Sequence, residues 1–162
     1  MRGAPSARVV LVEYGDFDCP FCGQAYPVVR ELLRRFDSQL QFVFRHNPLG
    51  EQHPHARLAA QAAEAAALHG QFWPMHDVLF EHPKALAEAD LIGHAASLGL
   101  DPDRFAKELH DPSVRARVRE DEVGGLHSGV IGTPTFFING THFRDKPDAE
   151  TLGAAIAAAL AG

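Results

Sequence analysis

Apolar residues run unbroken through Val9-Val10-Leu11-Val12, the pattern of a strand covered on both faces. Tyr14-Gly15-Asp16 ends that run as a loop, and Pro20 suits a first helical position because it has no N–H to leave unpaired there. Val29, Leu32, Leu33 and Phe36 then recur at i, i+3, i+4 and i+7, one buried helical stripe, with Pro27 expected to kink the helix. Leu40 to Phe44 reads as a second buried strand, completing a βαβ unit.

Between Pro54 and Ser128 no strand pattern occurs. Ala56 to His69 is alanine-rich and helical, and Glu88 to Leu98 places Leu91, Ile92, Ala95 and Leu98 on one face. Asp101-Pro102 and Asp111-Pro112 each read as an N-cap followed by N1, opening helices that run to Leu109 and Val123. Strand character returns at Thr135-Phe136-Phe137-Ile138, and Asn139-Gly140 predicts a two-residue type I′ turn into Thr141-His142-Phe143. A last helix carries Leu152, Ile156 and Leu160 on one stripe, with Asp148 as its cap. The chain is therefore expected to have an N-terminal tail at 1–8, an α/β body at 9–53 and 129–162, and an all-helical insertion at 54–128.

With 162 residues, 46% apolar and 22% charged, the composition is that of a soluble globular protein of one domain plus an insertion. A net charge of −6 argues against nucleic acid or an anionic membrane as partner, and no apolar run is long enough to span a bilayer. Residues 1–7 contain no apolar leader, so the expected location is cytoplasmic, or extracytoplasmic if a leader was removed.

The only two cysteines stand three apart, Cys19-Pro20-Phe21-Cys22, at the junction of strand and helix. On a helix such a pair has Cβ atoms roughly 5–6 Å apart, and a small tightening reaches disulfide geometry at about 3.5–4.5 Å. Cys19, at the helix N-terminus, is favoured as a thiolate by free N–H groups and the helix dipole, whereas Cys22 is expected to be more buried. Cys19 is then the sulfur that attacks or is attacked, and Cys22 resolves the mixed disulfide. Half of a zinc site is the competing reading. It requires two further ligands, and His53-Pro54-His55 holds the only near-adjacent histidines, unconnected to the motif, so neither metal nor cofactor is expected.

Residues Val12 to Cys22, together with Gly132-Thr133-Pro134-Thr135-Phe136-Phe137-Ile138-Asn139-Gly140, resemble the DsbA-like branch of the thioredoxin superfamily, and the likeness extends from Val9 onward. It implies a thioredoxin fold, βαβ…ββα on a four-stranded mixed sheet, with the helical insertion between the second strand and the cis-proline strand. It also implies a thiol–disulfide oxidoreductase acting on protein or peptide substrates and served by a small thiol or a reductase. Cys19 matches the family's nucleophile and Cys22 its resolving partner. Glu13 falls where thioredoxin-like proteins often keep a buried acid, which there relays the proton of Cys22; a strand-end glutamate reaching solvent is the alternative. Pro27 matches the helix-kinking proline. Thr133-Pro134 matches the cis-proline, which turns the backbone edge of Thr133 toward an extended substrate. Phe17, Phe21 and Trp73 are expected either to form an apolar lip for substrate or to pack in the core. Arg45 and His46 have no assignable role.

Phe21 stands where DsbA itself has histidine, and cannot give the Cys19 thiolate a hydrogen bond or a positive charge. Asp16 and Asp18 are expected to add like charge and disfavour the thiolate further. A less stabilised thiolate predicts a potential more reducing than that of DsbA. The Pro-Phe dipeptide is closer to that of glutaredoxins, so a glutathione-coupled reductase is an alternative. A peptide-binding or chaperone module with incidental redox activity is another.

Overall fold

The computed structural model describes all residues, 1–162. Three strands carry the centre of the sheet: β2 (Val9–Gly15), β3 (Leu40–His46) and β4 (Thr135–Ile138). Strands β2 and β3 run parallel, joined by α1 (Pro20–Phe36), which contains Pro27. Strand β4 pairs antiparallel with the other side of β2, and β5 (Thr141–Phe143) closes that edge. These four strands are the expected ones. A fifth, β1 (Arg2–Gly3), extends the opposite edge antiparallel to β3, giving the order β1-β3-β2-β4-β5. Residues 2–3 of the expected tail are thus part of the sheet.

The β4–β5 turn has φ of 47° at Asn139 and 81° at Gly140, the two positive values a type I′ turn demands. Asn139 also ties the turn to the sheet, since its Oδ1 accepts from the Val10 amide at 2.8 Å.

Side chains alternate along β2. Val9, Leu11 and Glu13 face inward, and the register sets Glu13 beside Phe44 and Phe136. Between β3 and β4 lie five helices: α2 (Ala56–Ala67), α3 (Phe72–Glu81), α4 (Glu88–Ser97), α5 (Pro102–Glu108) and α6 (Pro112–His127). Asp101 and Asp111 cap α5 and α6 as expected, accepting from Arg104 and Ser113 amides, and Asp148 caps α7 (Ala149–Ala161) through Thr151. Each such cap contributes about 1 kcal/mol.

The end of β3 fastens the insertion to the sheet. Buried Asp121 on α6 accepts from Arg45 at 2.8 Å, from Arg117 at 2.9 Å and from the His46 amide at 3.0 Å. The His46 ring meets Glu64 of α2 at 2.8 Å. Arg45 and His46 therefore have structural work, and the two arginines on Asp121 compensate a carboxylate whose burial alone would be costly. No helix is long and apolar enough to cross a membrane.

Candidate active site

Cys19 is the N-cap of α1, with extended backbone (φ −83°, ψ 121°), and Pro20 takes N1. The turn before it is closed by the Cys19 amide donating to Asp16 O at 3.2 Å. Cys22 is wholly buried and Cys19 is 4% exposed. Both are free thiols. The Cys22 sulfur accepts from the Asp16 amide at 3.4 Å, and the Cys19 thiol donates to Thr133 O at 3.5 Å. Residues 114 positions apart are thus brought face to face, with the cis Thr133–Pro134 bond that the resemblance implied.

The Cys19 pKa is lowered to about 5. The largest cause is the hydrogen bond from the Cys22 thiol; burial opposes it, and the Thr133 side chain and the amides of Cys22 and Phe21 add to it. Cys22 is held far above the ordinary thiol range, first by that same bond to Cys19, then by burial and by the charges of Glu13 and Cys19, with the Asp16 amide opposing. The environments split the pair into one ready thiolate and one thiol that keeps its proton.

Thr133 Oγ1 is buried and has no hydrogen-bond partner. A hydroxyl so placed is free to donate once Cys19 is a thiolate, and the Thr133 side chain is among the groups that lower the Cys19 pKa. Thr133→Val keeps the shape and removes the donor, so Cys19 is expected to titrate about one pH unit higher, the worth of one hydrogen bond to a charged group. Ultraviolet thiolate absorbance against pH checks this; an unchanged titration would remove Thr133 from the site's electrostatics.

Glu13 is 2% exposed, so it is not a strand-end carboxylate reaching solvent. Burial, and secondarily the Cys19 charge, raise its pKa to about 8. Room for it depends on Gly15, where a Cβ would come within 2.4 Å of the Phe44 ring and 3.1 Å of Glu13 Oε1.

Two expectations need correction. Phe17 is not part of a lip: it is buried, its ring 5.1 Å from that of Phe44 and 4.8 Å from that of Phe80. Trp73 packs near Phe42 and donates to Met1 O, away from the cysteines in the contacts it makes. Asp16 is likewise not an uncompensated charge. Its carboxylate is sealed and accepts from His53 Nδ1 at 2.7 Å and from the Leu49 and Asp18 amides at 3.0 and 2.8 Å. Burial opposes protonation of His53, but the hydrogen bond to Asp16 and the charges of Asp16, Cys19 and Asp18 outweigh it and raise its pKa. A histidine from the loop after β3, its protonated form favoured by these contacts, thus faces Asp16 beside the dithiol. Sequence reasoning missed this because 37 residues separate the partners.

Phe21 is exposed, at 66%, and stands over a groove of about 440 Å³ lined also by Gln24, Ala25, Val28, Thr133 and Pro134. Ile131, two residues before Thr133, is 98% exposed, an apolar contact that the sequence reading passed over.

A family model described as thioredoxin matches residues 1–158. Among solved structures, a thioredoxin-like oxidoreductase from Silicibacter pomeroyi DSS-3 is 27% identical, with a TM-score of 0.87 over 99% of this chain and 91% of that one. Oxidised BdbD from Bacillus subtilis, 24% identical, shares the fold with a TM-score of 0.89 over 99% of this chain and 91% of its own. Among curated proteins, the Na(+)/H(+) antiporter NhaA 1 of Salinispora arenicola (strain CNS-205) is 50% identical over 162 residues, which are 100% of this chain and 25% of that protein. The chain spans about a quarter of the length of the curated relatives it matches.

Proposed function

The chain belongs to the thioredoxin family, and on that premise we propose that it is of the DsbA-like branch and exchanges disulfides with protein or peptide substrates through Cys19 and Cys22. One observation carries the reading: a thiolate-prone Cys19 capping a helix, bonded to a sealed Cys22 and facing Thr133 O. The Cys19 thiolate attacks a substrate disulfide, one substrate sulfur leaves as thiolate, and Cys22 then attacks Cys19 to release the other. Glu13 takes the Cys22 proton in its ionised form, which the mixed disulfide favours relative to the dithiol because the Cys19 charge is then gone. The groove beside Phe21, Thr133 and Pro134 suits an extended segment, with the exposed Ile131 as a further apolar contact.

The potential follows from the thiolate. A Cys19 pKa of about 5 falls between about 7 for thioredoxin and about 3.5 for DsbA. Their potentials are about −270 and −120 mV, so a value between them is expected, more reducing than DsbA. A potential more reducing than that of DsbA suits reductase or isomerase work. Redox titration against glutathione tests the proposal, and a potential near that of DsbA would overturn its direction. Insulin reduction with and without glutathione separates the glutathione-coupled alternative, which predicts turnover sustained by reduced glutathione alone.

Phe21→His restores a donor and a partial positive charge beside Cys19. The potential is expected to rise by about 30 mV, a tenfold shift in the exchange equilibrium. A potential that stays put or falls would break the link between residue 21 and the thiolate.

We assign redox chemistry, not ion transport, to the segment this chain represents, because the dithiol and the groove both lie within it.

A further inference from the structure

Glu13 has a proton to move and no solvent to move it to. Its pKa is raised by burial and then by the Cys19 charge, and the second cause disappears whenever Cys19 is held in a disulfide. Its protonation is therefore tied to the redox state of the pair. The carboxyl is 2% exposed, and the sulfurs beside it are sealed or nearly so. A group that must gain and lose a proton in each cycle needs a path outward.

A cavity lies on the side of α3. Glu13 and His76 line one small cavity of about 10 Å³, whose wall also includes Arg2, Tyr26, Phe42 and Phe80. That is space for about one water molecule. Each of the two side chains has one buried polar atom without a partner, Glu13 Oε1 and His76 Nε2. The other ring nitrogen is 2.9 Å from Asp77 Oδ1, and Asp77 is half-buried in an ion pair with Arg2 at 2.7 Å. Edge contacts with Phe17, Phe44 and Trp73 fix the plane of the ring. Desolvation lowers the His76 pKa to about 4, against the pull of Asp77, so the ring is neutral and has one nitrogen free to accept. Asp77, held at about 2 with burial opposed by His76 and Arg2, is ionised and selects the Nδ1–H tautomer.

We propose that His76 is a positioning and relay residue, the outward station of a proton path in which a water in the cavity joins Glu13 to Nε2 and Nδ1 delivers to Asp77 at the surface. The proposal rests on the reading of Glu13 as the base for Cys22. When Cys22 resolves a mixed disulfide, its S–H proton goes to Glu13, the Cys22–Cys19 bond forms, and the Cys19–substrate bond breaks with its electron pair on the substrate sulfur. Glu13 passes its proton to the water, the water passes one to Nε2, and Nδ1 releases one to Asp77 and solvent. Reduction of the Cys19–Cys22 disulfide by the redox partner runs the same path inward, ending on the Cys22 thiolate, and restores the starting tautomer. Tyr26, bonded to Glu81 and Arg30, lies on the same wall but is not needed for the transfer.

The test follows the reduced protein as it reacts with oxidised glutathione, quenched in acid and read by mass, for the parent, His76→Phe, His76→Gln and Glu13→Gln. Neither His76 replacement carries a proton through, although glutamine still bonds to a water. Both are expected to resolve the Cys19–glutathione mixed disulfide about tenfold more slowly near pH 7, and to form it at the parent rate with the Cys19 titration unchanged. The parent is expected to resolve more slowly in D₂O than in water, and the His76 variants to lose or alter that ratio. Resolution at the parent rate in either folded variant overturns the path, as does an equal slowing of mixed-disulfide formation, which signals general distortion. If Glu13→Gln alone slows resolution, the base stands and the outward path fails. If Glu13→Gln also resolves at the parent rate, the base assignment fails and takes the path with it.

Discussion

Cys22→Ser is expected to turn the protein into a trap that accumulates substrate through Cys19 and all but ceases to turn over. Cys22 lies fully buried beside Cys19 and can reach no other sulfur, so its one redox act is to attack Cys19 from within. Such an intramolecular attack has an effective concentration on the order of 10⁵ M or more. A free thiol at millimolar level does not replace it, and turnover should fall by at least about 10³-fold. Serine keeps an O–H where the thiol was, so the largest stabiliser of the Cys19 thiolate persists and the first attack proceeds. Cys22→Ala removes that donor too, and should react more slowly in the first step at pH 6. Mass spectrometry after incubation with a disulfide-bonded peptide reads both variants, and a Cys22→Ser protein free of mixed disulfide would reject the assignment of roles.

The second large effect is a pH dependence of stability that differs between the two redox forms. The folded pKa of Cys19, about 5, lies below the value of about 8.5 for an unfolded thiol, so the unfolded chain binds the extra proton between the two. The stabilisation is fully present above the unfolded value and is lost as pH falls through 5. By pH 7 it amounts to about 2–3 kcal/mol in the dithiol form. Glu13 has the opposite sign: its raised pKa gives stability present below the ordinary carboxyl value of 4.5 and lost as pH rises through about 8. In the dithiol the two slopes oppose each other and stability changes little from pH 5 to 8. The disulfide form has no Cys19 titration and should lose stability over that range. Urea unfolding of both forms at pH 5 and pH 7 is expected to show the gap moving toward the dithiol by about 2–3 kcal/mol; a constant gap would contradict the low Cys19 pKa.

Much of this was legible locally. The βαβ unit, the caps at Asp101, Asp111 and Asp148 and the Asn139-Gly140 turn are short-range signals, and each appears where the pattern put it. Helix α3 is hard to read from its pattern because a histidine, His76, lies on its buried face with Met75, Leu79 and Phe80, and Pro74 stands in its first turn. Strand β3 ran past Phe44 because the charge of Arg45 is met by Asp121, 76 residues away. The same blindness to long-range partners made Asp16 look repulsive before His53 was placed on it. The cysteines and Thr133 could be named from motif and order, whereas the Cys19 pKa could not, since it depends on how Cys22, Thr133 and the helix amides converge.

The most direct test is alkylation of the native reduced protein with iodoacetamide across pH, with peptide mapping of the product. Modification is expected at Cys19 alone, with a rate that rises to a plateau with an inflexion near 5, while Cys22 stays intact until the chain is unfolded. Equal labelling of both sulfurs, no labelling of either, or an inflexion near the ordinary thiol value of about 8.5 would contradict it.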